Sequence, residues 1–174
     1  LEFRRVLFRS QEVLLPELRA VRESLVEFAH AYAEVPMLAR THGQPATPTT
    51  FGKEMAVFAA RLGRALGDVD GAVSSLAGKL AGATGTYGAH HVAFPDVDWQ
   101  AFSRSFVGSL GLEHLDHVTQ VNPGDDLARL FDALARANRV LVDLDRDVWE
   151  YVSRRYLGQE ATAGETGSST MPHK

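Results

Sequence analysis

The side chains best placed to do chemistry fall in a few short segments. Residues 164–174, GETGSSTMPHK, hold two adjacent hydroxyls, Ser168 and Ser169, on a glycine approach with a lysine, Lys174, behind them. A Gly-Ser-Ser run has no side chain to bury and weak helix propensity, so its backbone is adaptable, and Pro172 stiffens the exit. A serine hydroxyl is a poor base unless cations and backbone N–H groups stabilise its alkoxide. Lys174 and the amides of a closing, water-excluding loop could supply that. Without such a context the run is ordinary linker.

His42 lies between Thr41 and Gly43 in ARTHGQPATPTT, where Pro45 and Pro48 restrict the backbone. An imidazole there can titrate near neutral pH and exchange a proton with a substrate. The plainer role is a loop histidine bonded to a nearby helix N-terminus. GATGTYG, residues 82–88, could bring its amides close to an anionic ligand, because glycine permits tight and positive-φ conformations. Taken alone it is equally a flexible connector, and Gln120 in VTQVNP is on its own a solvated loop residue. His90, His91, His114, Asp116 and His117 lack the recurrent spacing and third ligand of a zinc site and read as loop or cap residues.

The elements that must carry these segments read as helices. Leu14, Leu18, Val21, Leu25, Phe28 and Tyr32 alternate steps of four and three, which predicts an amphipathic helix over 12–33, ended by Pro36. The Pro/Thr/Gly-rich stretch after it is expected to be an irregular loop. Thr49 or Thr50 should cap a second helix, with Phe51, Met55, Phe58, Leu62 and Leu66 on one face, running to about residue 80 with a break near Gly67 allowed. Residues 81–99 are the least helical of the middle; a short helix follows with Trp99, Phe102, Phe106 and Leu110 inward. After a turn at Asn122-Pro123-Gly124, Asp125 or Asp126 is expected to cap the longest helix. Its apolar stripe, Leu127, Leu130, Leu134, Ala137, Leu141, Leu144, Val148 and Tyr151, implies a rod of about 45 Å. Trp149 and Tyr151 read as packing residues, and Asp143, Asp145, Arg146 and Asp147 as a solvated or bundle-contact face. Strand signals are nearly absent. The expectation is an all-α fold of long antiparallel helices in a bundle, with self-association covering the apolar surface that one copy leaves out.

Composition narrows the function classes. With 45% hydrophobic residues in 174 the chain can build one real core. Eighteen basic and 22 acidic side chains give a net charge of -4 without long runs of one sign, which argues against nucleic-acid binding. The absence of cysteine excludes disulfides, thiolate metal sites and a cysteine nucleophile, and fits a cytoplasmic location. No apolar stretch approaches the roughly 18 residues of a membrane helix, so no membrane partner is expected. In residues 1–10, LEFRRVLFRS, apolar and basic residues alternate in a strand-like way, and they are read as a leader foreign to a helical domain over 11–174. That domain is expected to be partial and to end within a loop, as an internal fragment would.

GSSTMPHK closely resembles the signature loop of the aspartase/fumarase superfamily, whose usual form is GSS, a variable residue, MP, a variable residue and K. Thr170 and His173 in that loop, together with ARTHGQPATPTTFGKEMA over 39–56, resemble the adenylosuccinate lyase branch. The resemblance implies the central helical bundle of that superfamily, a homotetramer, and active sites assembled from three subunits. It implies His42 as general acid, Ser168 as the base that removes a proton beside a carboxylate, and Thr41 and Gln120 as substrate contacts. Ser169 and Lys174 would bind substrate carboxylate, and loop 82–88 would line its pocket. The implied reaction releases fumarate from a purine nucleotide without cofactor or metal. Other fumarate-releasing branches of the superfamily, such as argininosuccinate lyase, fit THGQPA and STMPHK less well; a non-catalytic helical assembly module is the alternative from another class.

Overall fold

A computed structural model of the chain describes residues 2–158 and positions 160, 164 and 170. Ser168, Ser169 and Lys174 lie outside the described residues. The chain divides into two compact units, Leu1–Leu141 and Val142–Lys174, taken in turn. Its elements are α1 (Glu2–Arg9), a π turn (Ser10–Leu14), α2 (Leu15–Ala31), β1 (Pro36–Thr41), β2 (Gln44–Thr50), α3 (Phe51–Ser74), β3 (Ala77–Gly78), α4 (Gly88–Ala93), α5 (Trp99–Ser109), β4 (Glu113–His114) and α6 (Asp125–Ser153). Helix dominates, as the all-α reading requires, and the strands form two ribbons of two strands each.

In the first unit α3 is the central rod. Met55, Phe58, Ala59, Leu62, Ala65, Leu66, Val69, Ala72 and Val73 are all buried, a wider arc than one amphipathic stripe. The extra width follows from its having neighbours on two sides. Arg19 pairs with Asp70 at 3.0 Å from α2, and Arg136 with Asp68 at 3.4 Å from α6. Both pairs are more than half exposed and contribute little stability, but they fix which turns face each other. Against α3, α2 runs antiparallel: Arg19 meets Asp70 near one end, and Ala29 and Ala33 meet Gly52 near the other. The α6 stripe is buried at Leu130, Ala133, Ala137 and Val140.

Gly67 and Gly71 are absorbed into α3 without a break, and the helix ends at Ser74 because the chain turns there into β3. Thr50 caps it as expected, its hydroxyl accepting from the Lys53 amide at 3.2 Å. Residues 2–9 are helical, not extended. At helical spacing Leu7 and Ser10 both turn inward, and α1 continues through the π turn into α2. On α5 the inward face is also not the expected one. Ser103 and Val107 are buried, while Phe102 and Phe106 are exposed and stack on each other at 6.4 Å. The reason is a hydrogen bond: the Ser103 hydroxyl reaches the Leu80 carbonyl at 2.7 Å, which orients the helix and leaves the rings outside.

In the second unit the end of α6 buries Tyr151, which meets Tyr156 edge-on at 6.2 Å. Trp149, expected to pack, is 74% exposed. Arg155 closes the helix at φ 63, with the Tyr156 and Leu157 amides both returning to the Tyr151 carbonyl.

Helices α2 and α3 come into backbone contact at Gly52. A Cβ there would lie 2.4 Å from the Ala29 carbonyl oxygen and 2.6 Å from the Ala33 nitrogen, backbone atoms that cannot swing aside. Gly52→Ala should therefore destabilise by about 1–3 kcal/mol although alanine is the better helix former. Gly67→Ala in the same helix meets nothing within 4 Å and should stabilise by up to about 1 kcal/mol. Denaturant melts of the two variants check the opposite signs.

Candidate active site

The segment expected to be an irregular loop is an antiparallel hairpin, β1 with β2. Pro36 pairs with Thr50, Met37 with Thr49, Leu38 with Pro48, Arg40 with Pro45 and Thr41 with Gln44, with a bulge between Leu38 and Arg40. Prolines suit it because in a two-stranded ribbon both strands are edges, so a missing N–H can face outward; the threonines favour extended backbone. The base of the hairpin is sewn to the helices. The Phe51 amide donates to the Val35 carbonyl at 3.0 Å and the Gly52 amide to the Tyr32 carbonyl at 2.9 Å. The rings of Tyr32 and Phe51 meet edge-on at 5.5 Å.

His42 and Gly43 form the two-residue tip. Both are at positive φ, 52° and 72°, as a type I′ hairpin turn requires. The left-handed conformation is uncommon for a residue with a Cβ and costs of order 1–3 kcal/mol, so it persists only where the surroundings impose it. Arg40 braces the tip, its guanidinium donating to the Gly43 carbonyl at 3.3 Å. The His42 ring is exposed and makes no hydrogen bond among the described residues. It does not cap α3, since Thr50 does so. The result is an exposed imidazole at the tip of a two-stranded ribbon, with Thr41 beside it at the end of β1.

A second constellation gathers around β3. This short strand pairs in parallel with β4, Ala77 with Glu113 and Gly78 with His114. Its other edge is clamped by the first turn of α6 and the turn before it: the Asp126 carboxylate accepts the Ala77 amide at 2.8 Å, and the Asn122 side-chain amide donates to the Ala77 carbonyl at 3.1 Å. Asp126 therefore holds a strand instead of capping its own helix. Asn122 also accepts the Gly124 amide at 2.8 Å, which closes the Asn-Pro-Gly turn.

Beyond β3 the chain enters loop 82–88, which folds on itself: the Gly82 amide donates to Thr86 and the Gly85 amide to Gly82. The loop lies directly against residues 118 and 119. A Cβ on Gly85 would stand 1.8 Å from the Val118 carbonyl oxygen, and Gly85 is at φ 77. Lys79 adds a tie, its ammonium donating to the Thr119 carbonyl at 3.0 Å. Gln120 is the next residue, exposed, so it stands beside the glycine loop. Beneath both, His114 bonds Ser103 at 2.8 Å, and Asp116 lies 2.8 Å from Arg104. The hydrogen bond from Arg104 holds the Asp116 carboxyl below the usual carboxylate range. This exposed pair is thus intact at neutral pH and weakens as pH falls through the depressed value.

Of the candidate residues, Thr41 and His42 stand together on the hairpin, and Gln120 stands with the glycine loop on a different set of elements. No hydrogen bond among the described residues links the two groups. Arg40, Lys79, Ser103 and Asp126 were not singled out from the sequence for these positions. Only the Asn122-Pro-Gly turn signalled part of the clamp; the other contacts join residues 23 to 49 positions apart, with no local pattern.

The chain belongs to the lyase family, whose model matches residues 3–174. It is 48% identical over 163 residues to the adenylosuccinate lyase of Escherichia coli K12, covering 94% of this chain and 35% of that relative. It is 46% identical over 167 residues to the adenylosuccinate lyase of Dictyostelium discoideum, covering 94% and 36%, and 45% identical over 163 residues to that of Haemophilus influenzae, covering 94% and 35%. The chain thus spans about a third of the length of these curated relatives. No helix among the described residues is long and apolar enough to cross a membrane.

Gly85→Ala meets two obstacles at once, positive φ and a backbone clash, so loops 82–88 and 118–120 must separate. Faster amide exchange in both segments, with α2 and α3 unchanged, is the expected result by hydrogen-exchange mass spectrometry.

Proposed function

We propose that residues 11–174 are a partial central helical domain of a cytoplasmic lyase that eliminates fumarate from adenylosuccinate, giving AMP, and from the succinyl-carboxamide ribotide of purine synthesis. The observation that carries this reading is the similarity to adenylosuccinate lyases over nearly the whole chain, within which His42 occupies a strained, rigid turn. In the proposed reaction Ser168 takes the proton from the carbon beside a carboxylate. The electron pair left on that carbon moves into the carboxylate as an aci-carboxylate, then returns to form the new double bond as the carbon–nitrogen bond breaks and His42 protonates the departing nitrogen. Ser169 and Lys174 hold the carboxylate on which negative charge accumulates, where fixed donors stabilise it most. Thr41 and Gln120 contact substrate. No cofactor or metal is required.

The reading includes a homotetramer with each active site shared among subunits. Supporting it, Phe28, Phe131, Val148 and Trp149 are exposed along α2 and α6, apolar surface that association would cover.

The test uses the full-length protein and follows fumarate release with adenylosuccinate supplied. His42→Ala and Ser168→Ala should each lower kcat by about 10²–10⁴-fold with the oligomer intact. Unchanged release in either variant, or argininosuccinate or malate as the productive substrate, would overturn the proposal.

A further inference from the structure

We infer that His114 is a positioning residue: its buried ring locks the base of loop 82–88 to the base of the segment bearing Gln120, and through them sets substrate affinity. The affinity half of this inference rests on the function proposed above; the locking half does not.

Proton bookkeeping fixes the tautomer of His114. Ser103 is fully buried and has one hydroxyl proton, which it donates to the Leu80 carbonyl at 2.7 Å. Its oxygen can then only accept from the His114 Nε2, 2.8 Å away, so that nitrogen carries the proton. The other ring nitrogen, Nδ1, lies 3.3 Å from the Asp116 carboxylate without an aligned hydrogen bond, and Arg104 holds that carboxylate. The ring is thus held through Nε2, with its side chain only 7% exposed.

What the ring joins gives it a role. Leu80 lies two residues before Gly82, at the entry of the glycine loop, and His114 and Asp116 open the segment that leads to Gln120. Higher up, the same two loops meet again through Lys79 on the Thr119 carbonyl and through the Gly85 approach to Val118. The Lys79 tie is exposed to water, whereas the bonds through Ser103 and His114 are shielded, and a shielded bond holds geometry more firmly. Buried as it is, His114 acts on substrate only through the loops it fixes.

Hydrogen exchange and steady-state kinetics on the full-length protein separate the two halves. His114→Leu removes the donor; His114→Gln keeps an amide donor at the reach of Nε2; Ser103→Ala removes the acceptor of the same bond and tests the lock from its other partner should the leucine variant not fold. His114→Leu should speed exchange in 82–88 and 118–121 together and raise KM for adenylosuccinate about tenfold with kcat within about threefold, because ground-state and transition-state binding are lost alike. His114→Gln should restore both to within about twofold, and Ser103→Ala should raise exchange in the two loops and KM as His114→Leu does, to within about threefold. Unchanged exchange in the two loops, or a glutamine variant no better than leucine, would overturn the locking role. Coupled loosening without a KM change would overturn its tie to affinity. A wild-type protein inert toward adenylosuccinate would sink the proposed function, while the exchange result still decides the locking.

Discussion

The arrangement depends on how one peptide unit, Ala77, is held. Its N–H goes to the Asp126 carboxylate and its carbonyl to Asn122, while the flanking Leu76 and Gly78 carbonyls accept from the Glu113 and Leu115 amides. A bond to a charged acceptor contributes about 1.5–3 kcal/mol, and each buried partner left without one would cost a comparable amount. These four bonds gather the end of α3, the entry to α6 and the β4 segment at one place. Without them the glycine loop and the Gln120 segment would have no common floor, however well the helices packed.

The rods supply what the clamp needs, a rigid frame. Since α3 is buried on two sides, its ends are fixed, and each end leads to a candidate site segment. At the N-terminal end Gly52 lets α2 approach to backbone contact, which seats the hairpin and its His42 tip. At the C-terminal end the chain passes directly into β3. The strain at His42 and the close approach of Gly85 are the two places where local preference yields to geometry, and both lie in candidate site segments.

Much of this was legible in the sequence, and what was not has physical reasons. The long helices α2, α3 and α6 were readable because their apolar residues repeat at helical spacing, and the Thr50 cap because a hydroxyl preceded the repeat; α1, with apolar and basic residues alternating, and the short α4 were not. The hairpin was not, because prolines that would disrupt an interior strand are harmless in a ribbon made only of edges. Phe102 and Phe106 looked like core because hydrophobicity cannot say which of two faces a buried serine will claim. The His42 motif was legible as a motif, but its positive φ was not: histidine is enriched at positive φ, yet that signal has meaning only at a hairpin tip, and the segment read as an irregular loop. The Ser103 and His114 chain was invisible because it joins elements by side chains whose types alone suggest loop or surface.

The central claim is that the His42 ring, fixed on its ribbon, reaches the nitrogen that leaves. A crystal structure of the full-length protein with adenylosuccinate bound to a Ser168→Ala variant tests it most directly. The account predicts an imidazole nitrogen of His42 within about 2.6–3.2 Å of the bridging nitrogen of the substrate, or linked to it through one water. A His42 ring left in solvent in every subunit, with another side chain at that nitrogen, would contradict it.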